Sequence, residues 1–247
     1  MAEMMKGNEA IAEAAIRAGA RFYAGYPITP SSEIMEYLSW RMNEVGGAFV
    51  QAESELAGIN MVIGASSCGV RALTASSGPG ISLKQEGIST LCDEGLPAVV
   101  ITQVRYGNGL GTLFTSQCDY HRETRGGGQG DYRCIVLCPS SIQEFVDLML
   151  PAYELAEKYR IVTIMMGEGT LGQMMEPVEL PDFVEPKRTP WALNGHYTYK
   201  KIGIFERDSM AEAVELRAKY AEIKENEQRW EEKDIADADY VFVAYGV

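Results

Sequence analysis

Four short stretches of this chain carry side chains suited to chemistry. The first is Gly25–Ser32, GYPITPSS. Pro27 and Pro30 fix φ and remove backbone donors, which stiffens the turn. Thr29 is held between them, and Ser31 or Ser32 can cap a following helix. A stiff turn carrying a hydroxyl, next to free amides at a helix N-terminus, suits a carboxylate or phosphate. The same residues also make an ordinary proline-shaped loop with a serine cap. The second stretch is Glu53, Ser54 and Glu55, opening the helical pattern ELAGINMVIGAS. Leu56, Ile59 and Ile63 are expected to face a sheet, with Glu55 in the first turn among the small residues Ala57, Gly58, Gly64 and Ala65. Alone, Glu55 reads as a helix-dipole carboxylate, worth under about 1 kcal/mol at an exposed site. The third stretch is Ser76–Gly80, SSGPG, which contains Ser77 and Gly78. It suits a phosphate cradle or a tight packing turn, and it lacks the GxxxxGKS and GxGxxG patterns. The fourth is Arg105–Gly130, a glycine-rich run long enough for a lid or binding loop, which includes His121. Taken by itself, Arg105 reads as a surface salt bridge.

These stretches must be positioned by the elements between them. Strands are predicted at Arg21–Tyr26, Ala48–Ala52, Arg71–Ser76, Ala98–Gln103, Cys134–Leu137 and Ile161–Met166. Helices are predicted at Gly7–Ala18, Ser32–Met42, Ser54–Ala65, Ile81–Cys92, Ser141–Tyr159 and Met210–Glu232. The strands are short and nearly continuous in apolar character, as sheets covered on both faces require. Alternating strands and helices predict an α/β domain with a doubly wound, mostly parallel sheet over residues 1–180. Functional groups then belong in loops at the carboxyl ends of the strands. Past Pro177 the texture changes: Pro181, Pro186 and Pro190 mark an extended linker with Trp191 as an anchor. A charged helical run from Glu206 to Asp239 follows, mixing acidic and basic residues on a solvated face. This linker and helix fill residues 181–239, and Tyr240–Val247, YVFVAYGV, reads as a buried strand opening a second, truncated domain.

Composition narrows the function. The 247 residues carry a net charge of −13, which argues against nucleic acid or an anionic membrane as partner. No charged-then-apolar leader pattern is present, and no apolar run approaches the roughly 18 residues that span a bilayer, so a cytoplasmic location is expected. The cysteines at 68, 92, 118, 134 and 138 contain no CxxC pair. Cys134 and Cys138, on one strand, would lie about 13 Å apart, too far for a disulfide or a shared metal. All five are expected to be reduced, with no metal or iron–sulfur site.

The ordered set GYPITPSSE, AESELAGINMVIGAS, TASSGPGISLKQEGIS and VITQVRYG resembles the pyrimidine-binding domain of the alpha subunit of 2-oxoacid:ferredoxin oxidoreductases. The likeness covers residues 1–180, and the charged helix with YVFVAYG is most similar to the branched-chain (2-oxoisovalerate) type. The resemblance implies thiamine diphosphate as cofactor, with Glu55 matching the glutamate that hydrogen-bonds N1′ of its aminopyrimidine. That bond lets the 4′-amino group lift a proton from thiazolium C2. Ser77 and Gly78 are implied to be cofactor-binding, and Tyr26, Ile28, Thr29 and Arg105 to be substrate-binding. Thr29 matches the hydroxyl that contacts the 2-oxoacid, and Arg105 the arginine that anchors its carboxylate, a task suited to a planar guanidinium. The implied reaction is oxidative decarboxylation of a 2-oxoacid with coenzyme A, giving acyl-CoA, carbon dioxide and reduced ferredoxin.

The cysteine pattern for clusters and a GDG…N diphosphate–metal signature are both missing here. The resemblance therefore implies that magnesium and the iron–sulfur clusters sit on partners: a diphosphate-binding beta subunit, a ferredoxin-like subunit and a gamma-type subunit. A homodimer of the chain itself is also expected. The loop after Arg105 reads NGLGTLFTSQ rather than a PSTGLPT-like run, which leaves the 2-oxoacid open. A non-redox thiamine enzyme subunit and a non-catalytic assembly subunit are the alternatives.

Overall fold

The computed structural model describes residues 2–185, 189–193 and 209–247. Pro186 of the linker and Glu206 at the head of the charged run lie outside the described residues. In chain order the elements are β1 (Glu3–Lys6), α1 (Gly7–Arg17), β2 (Phe22–Gly25), α2 (Ser32–Glu44), β3 (Ala48–Gln51) and α3 (Glu55–Ser67). Next come β4 (Ala72–Ser76), α4 (Gly78–Glu94), β5 (Ala98–Val104), α5 (Tyr120–Arg125) and β6 (Ile135–Leu137). The last are α6 (Ile142–Tyr159), β7 (Val162–Glu168), α7 (Gly169–Gln173), β8 (Met175–Val178) and α8 (Ser209–Asn226).

Six strands form one sheet in the order β3-β2-β4-β5-β7-β6, and every neighbouring pair is parallel. Every residue of β4 and β5 is buried, which is why these segments read as unbroken apolar runs instead of alternating ones. α3 packs with α4, and α1 packs with both α2 and α6, so helices cover both faces. The strand order turns back at β2: β3 lies on one side of it and β4 on the other. In open α/β sheets such a switch point, here at the carboxyl ends of β2 and β4, is the usual ligand position. α3 runs from β3 to β4 and crosses β2 closely: a Cβ on Gly58 would stand 3.3 Å from the Gly25 Cα. Glycine at 58 therefore lets the helix settle onto the end of the strand.

Several boundaries differ from expectation. α4 begins at Gly78, so the second half of SSGPG is the helix's first turn, with proline where no intrahelical donor is needed. The long segment after Arg105 is not structureless, since it folds α5. β1 and β8 form an antiparallel ribbon missed in the sequence. On α3, Ile59 and Val62 are buried, whereas Ile63 is half-buried and Leu56 is 48% exposed. α8 ends at Asn226, short of Glu232. Tyr240–Val247 forms no strand, and Phe242 and Val243 are 95% and 96% exposed, because no neighbouring strand pairs with it.

The chain divides into two units, Met1–Tyr199 with Gly246–Val247, and Lys200–Tyr245. In the first, the segment after β8 stays on the α/β body. The Val184 amide donates to the Arg17 carbonyl at 2.8 Å, and that of Leu193 to Ser67 at 2.9 Å. The Arg160 guanidinium lies 4.9 Å from the Trp191 ring centroid, the expected anchor. In the second unit, none of the described α8 side chains is buried. Among the described residues no helix is long and apolar enough to cross a membrane.

Candidate active site

The lip GYPITPSS leaves β2 at Gly25. Tyr26 is 40% exposed, Ile28 half-buried, Thr29 exposed and Pro30 buried. Ser31 occupies the N-cap of α2 without capping through its side chain. Its hydroxyl instead donates back to the Ile28 carbonyl at 2.9 Å, tightening the turn. The rear of the lip is held by polar groups. Fully buried Asn8 donates to the Pro30 carbonyl at 2.7 Å and to Glu33 at 2.8 Å, and accepts from Gln103 at 3.1 Å. Lys6 pairs with Glu33 at 2.7 Å, and Gln173 donates to the Pro30 carbonyl and to Glu33. Burial raises the Glu33 carboxyl, but hydrogen bonds from Lys6, Asn8 and Gln173 outweigh it and hold the group below its ordinary value.

Arg105 emerges from β5 and is buried. Its two terminal nitrogens donate to the carbonyls of Thr29 at 2.7 Å and Leu110 at 2.6 Å. Its Nε is buried with no hydrogen-bond partner. A guanidinium has five N–H donors, so donors remain for an anion. Gly78, at φ +43°, lies against this group: a Cβ there would stand 3.3 Å from Nε. From the other side Arg122 donates to the Gly78 carbonyl at 2.9 Å and pairs with Asp119 at 3.0 Å and Glu123 at 2.7 Å. Burial pushes the Glu123 carboxyl up, with the Arg122 charge opposing the shift. Through Arg122, then, the loop carrying α5 is tied to the head of α4.

Glu55 opens α3, whose N-cap Ser54 accepts from the Ala57 amide at 3.2 Å. Glu55 is 7% exposed, and among the described residues no side chain donates to its carboxylate. The space before it is kept open by glycine. A Cβ on Gly80 would collide with Ser76 Oγ and stand 2.7 Å from Glu55 Oε1. Ser76 Oγ and Ser77 Oγ are buried without partners. One series of contacts therefore links Thr29, Arg105, Gly78, Gly80 and Glu55 at the switch point. It does not run through Tyr26 or Ile28, which share the lip with Thr29.

One residue of this site was missed in the sequence. Lys84 is fully buried, and its Nζ lies 3.4 Å from the Glu55 main-chain oxygen. Burial pushes its ammonium down to about 8, and the Glu55 charge opposes that shift. The signal was present: Lys84 shares the inward spacing of Ile81, Ile88 and Leu91 on α4, where an apolar residue is the norm.

A thiamine diphosphate aminopyrimidine fits these residues. Two hydroxyls and an arginine Nε are buried without partners, near a carboxylate that no described side chain bonds and two glycines that leave room for a planar ring. Glu55 would hold the pyrimidine, with Ser77 and Gly78 beside it.

Residues 13–239 match the family described as pyruvate flavodoxin/ferredoxin oxidoreductase, thiamine diphosphate-binding. The chain is 49% identical to the ketoisovalerate oxidoreductase subunit VorB of Methanothermobacter marburgensis, covering 99% of this chain and 72% of that protein. It is 46% identical to the 2-oxoglutarate synthase subunit KorA of Methanocaldococcus jannaschii over 74% of this chain and 50% of that one. Among solved structures, a 2-oxoglutarate:ferredoxin oxidoreductase from Magnetococcus marinus, with 2-oxoglutarate, coenzyme A and succinyl-CoA bound, superposes at TM-score 0.73 and 32% identity. That match covers 77% of this chain and 34% of the solved one.

Proposed function

The chain belongs to the thiamine-diphosphate-binding family of 2-oxoacid:ferredoxin oxidoreductases, and on that premise we propose that it is the alpha subunit of a branched-chain 2-oxoacid enzyme. The observation that carries the reading is the Glu55 carboxylate, buried at the head of α3 with no side-chain donor of its own and facing space that Gly80 keeps open. When bound, thiamine diphosphate supplies the electron sink for decarboxylation. Glu55 shares a proton with N1′ of the pyrimidine. Arg105 receives the substrate carboxylate through its spare donors, and the Thr29 hydroxyl bonds beside it at the exposed edge of the lip. Tyr26 and Ile28 shape the entry for the substrate. Oxidative decarboxylation with coenzyme A, passing two electrons to oxidised ferredoxin, would yield acyl-CoA, carbon dioxide and reduced ferredoxin.

Two features favour an apolar 2-oxoacid over a dicarboxylate. The second arginine at Gly78, Arg122, is ion-paired to Asp119 and Glu123, so it brings no spare cation for a distal carboxylate. Leu110, Leu113 and Phe114, on the loop after Arg105, are 80%, 65% and 75% exposed. The similarity to VorB over nearly the whole chain agrees.

The cofactor's diphosphate and magnesium belong to a beta subunit, and the iron–sulfur clusters to a ferredoxin-like subunit, with a gamma-type subunit completing a cytoplasmic complex. Leu56 and Met61 of α3, with Leu83 of α4, are 48%, 37% and 56% exposed around the site, suited to cover by the beta subunit or a second copy of the chain. Reconstitution with these partners tests the reading. Ferredoxin reduction dependent on coenzyme A and thiamine diphosphate is expected, faster with 2-oxoisovalerate than with 2-oxoglutarate. A reversed preference overturns the branched-chain assignment, and failure with every 2-oxoacid overturns the reading. The purified chain alone is expected to be colourless and to bind the cofactor weakly; a brown, iron-bearing chain contradicts the division of labour.

A further inference from the structure

Lys84 is the charged side chain that fits its surroundings least well as a packing element. It is fully buried on the inward face of α4, among Ile81, Ile88 and Leu91, where an unbranched apolar residue would fill the same space without desolvating a charge. Its Nζ lies at the first turn of α3, the positive end of that helix, which is an unfavourable place for a cation. The main-chain oxygen of Glu55, at 3.4 Å, is a long and weak acceptor. Of the elements packed against α4, β5 carries no charged residue, and β7 carries Glu168 at its end. On α4 itself Glu86, Asp93 and Glu94 carry charge. The charge that acts on Lys84 is Glu55, from α3.

We propose that Lys84 is a positioning residue for the Glu55 carboxylate, its buried ammonium holding the head of α3 from which that carboxylate projects. The proposal rests on the assignment of Glu55 to the cofactor's pyrimidine. It pairs the two groups, the Glu55 charge supporting the buried ammonium that holds its helix in place. When Lys84 loses its proton, Glu55 loses its countercharge. The site then behaves as though Lys84 had been replaced by an apolar residue.

The pair can be read without cofactor in the 247-residue chain. The folded Lys84 sits at about 8 and the unfolded one at 10.5, so between these values the unfolded chain binds more protons. Stability therefore rises with pH across that window and levels above it. Lys84→Met is expected to abolish the rise. Glu55→Gln, which removes the supporting charge, is expected to start it at lower pH. A purely structural lysine would give the same stability profiles but would leave the cofactor readout that follows unchanged. In the reconstituted complex, hydrogen–deuterium exchange at C2 of the cofactor gives the second readout. The wild-type rate is expected to change by about tenfold between pH 7 and 9, the change expected when most of one group titrates, and to converge on a flat Lys84→Met profile. Should Lys84→Met fail to fold, Lys84→Gln and the shift in Glu55→Gln carry the test. Identical stability profiles in wild type and the Lys84 variant, or an onset unmoved by Glu55→Gln, overturn the proposal. Wild-type exchange in Glu55→Gln instead overturns the assignment of Glu55, whatever the stability profiles show.

Discussion

Glu33 and Glu55 both stand in the first turn of a helix that leaves the switch point of the sheet, yet their surroundings are opposite. Glu33 is surrounded by donors: Lys6 at 2.7 Å, Asn8 at 2.8 Å and Gln173 at 3.1 Å. Glu55, more deeply buried, faces the space left by Gly80, which the unpartnered Ser76 hydroxyl also borders. A carboxylate whose lone pairs are already taken is fixed in place and pins the lip. One that no described side chain bonds keeps acceptor lone pairs available for a bound group. The contrast separates scaffold from site more sharply than position at a helix N-terminus, which the two share.

Substitutions can break the comparison, and the largest effect is expected at Glu55. Glu55→Gln keeps size and hydrogen bonding but cannot exchange a proton, so turnover in the reconstituted complex should fall by about 10²-fold or more. The chain should remain folded, with the shift in stability profile expected from loss of the Glu55 charge beside Lys84. Arg105→Ala comes next. Loss of charge-assisted bonds to a carboxylate is worth about 1.5–3 kcal/mol, so KM for the 2-oxoacid should rise roughly 10- to 150-fold. An unchanged KM would place the carboxylate elsewhere. Thr29→Val should cost less, about 1–2 kcal/mol for one hydrogen bond, read as a loss in kcat/KM. Glu33→Gln should have the smallest catalytic effect, under about twofold, with a stability loss on the order of 1 kcal/mol for a partly exposed pair. Because the folded Glu33 carboxyl lies below its ordinary value, its contribution is complete above 4.5 and is lost as pH falls through the folded value. Acid titration of the melting temperature should show that loss in wild type and less of it in Glu33→Gln.

The parallel sheet was legible because strands buried on both faces leave unbroken apolar runs, as in AVVITQV. Thr29, Gly78, Glu55 and Arg105 all lie at or just past strand ends, but their proposed roles came from the family resemblance, since taken alone Glu55 reads as a helix-dipole carboxylate and Arg105 as a surface salt bridge. What escaped depends on contacts distant in sequence. The β1–β8 ribbon pairs EMMK with MEPV across the whole domain, and neither segment alternates like a strand. Asn8 and Gln173 reach the lip from α1 and α7, with no local pattern to mark them. Ser31 suggested a cap by residue type, but its hydroxyl found the Ile28 carbonyl instead. YVFVAYGV has strand propensity, yet pairing, which propensity alone does not supply, decides whether a strand forms.

Hydrogen–deuterium exchange at C2 of thiamine diphosphate, measured in complexes rebuilt with Glu55→Gln and with Glu33→Gln, tests the central claim most directly. Exchange is expected to slow by orders of magnitude for Glu55→Gln and to stay within about twofold of wild type for Glu33→Gln, since proton exchange with N1′ is served by the open carboxylate alone. Equal slowing in the two complexes, or wild-type exchange with Glu55→Gln, would contradict it.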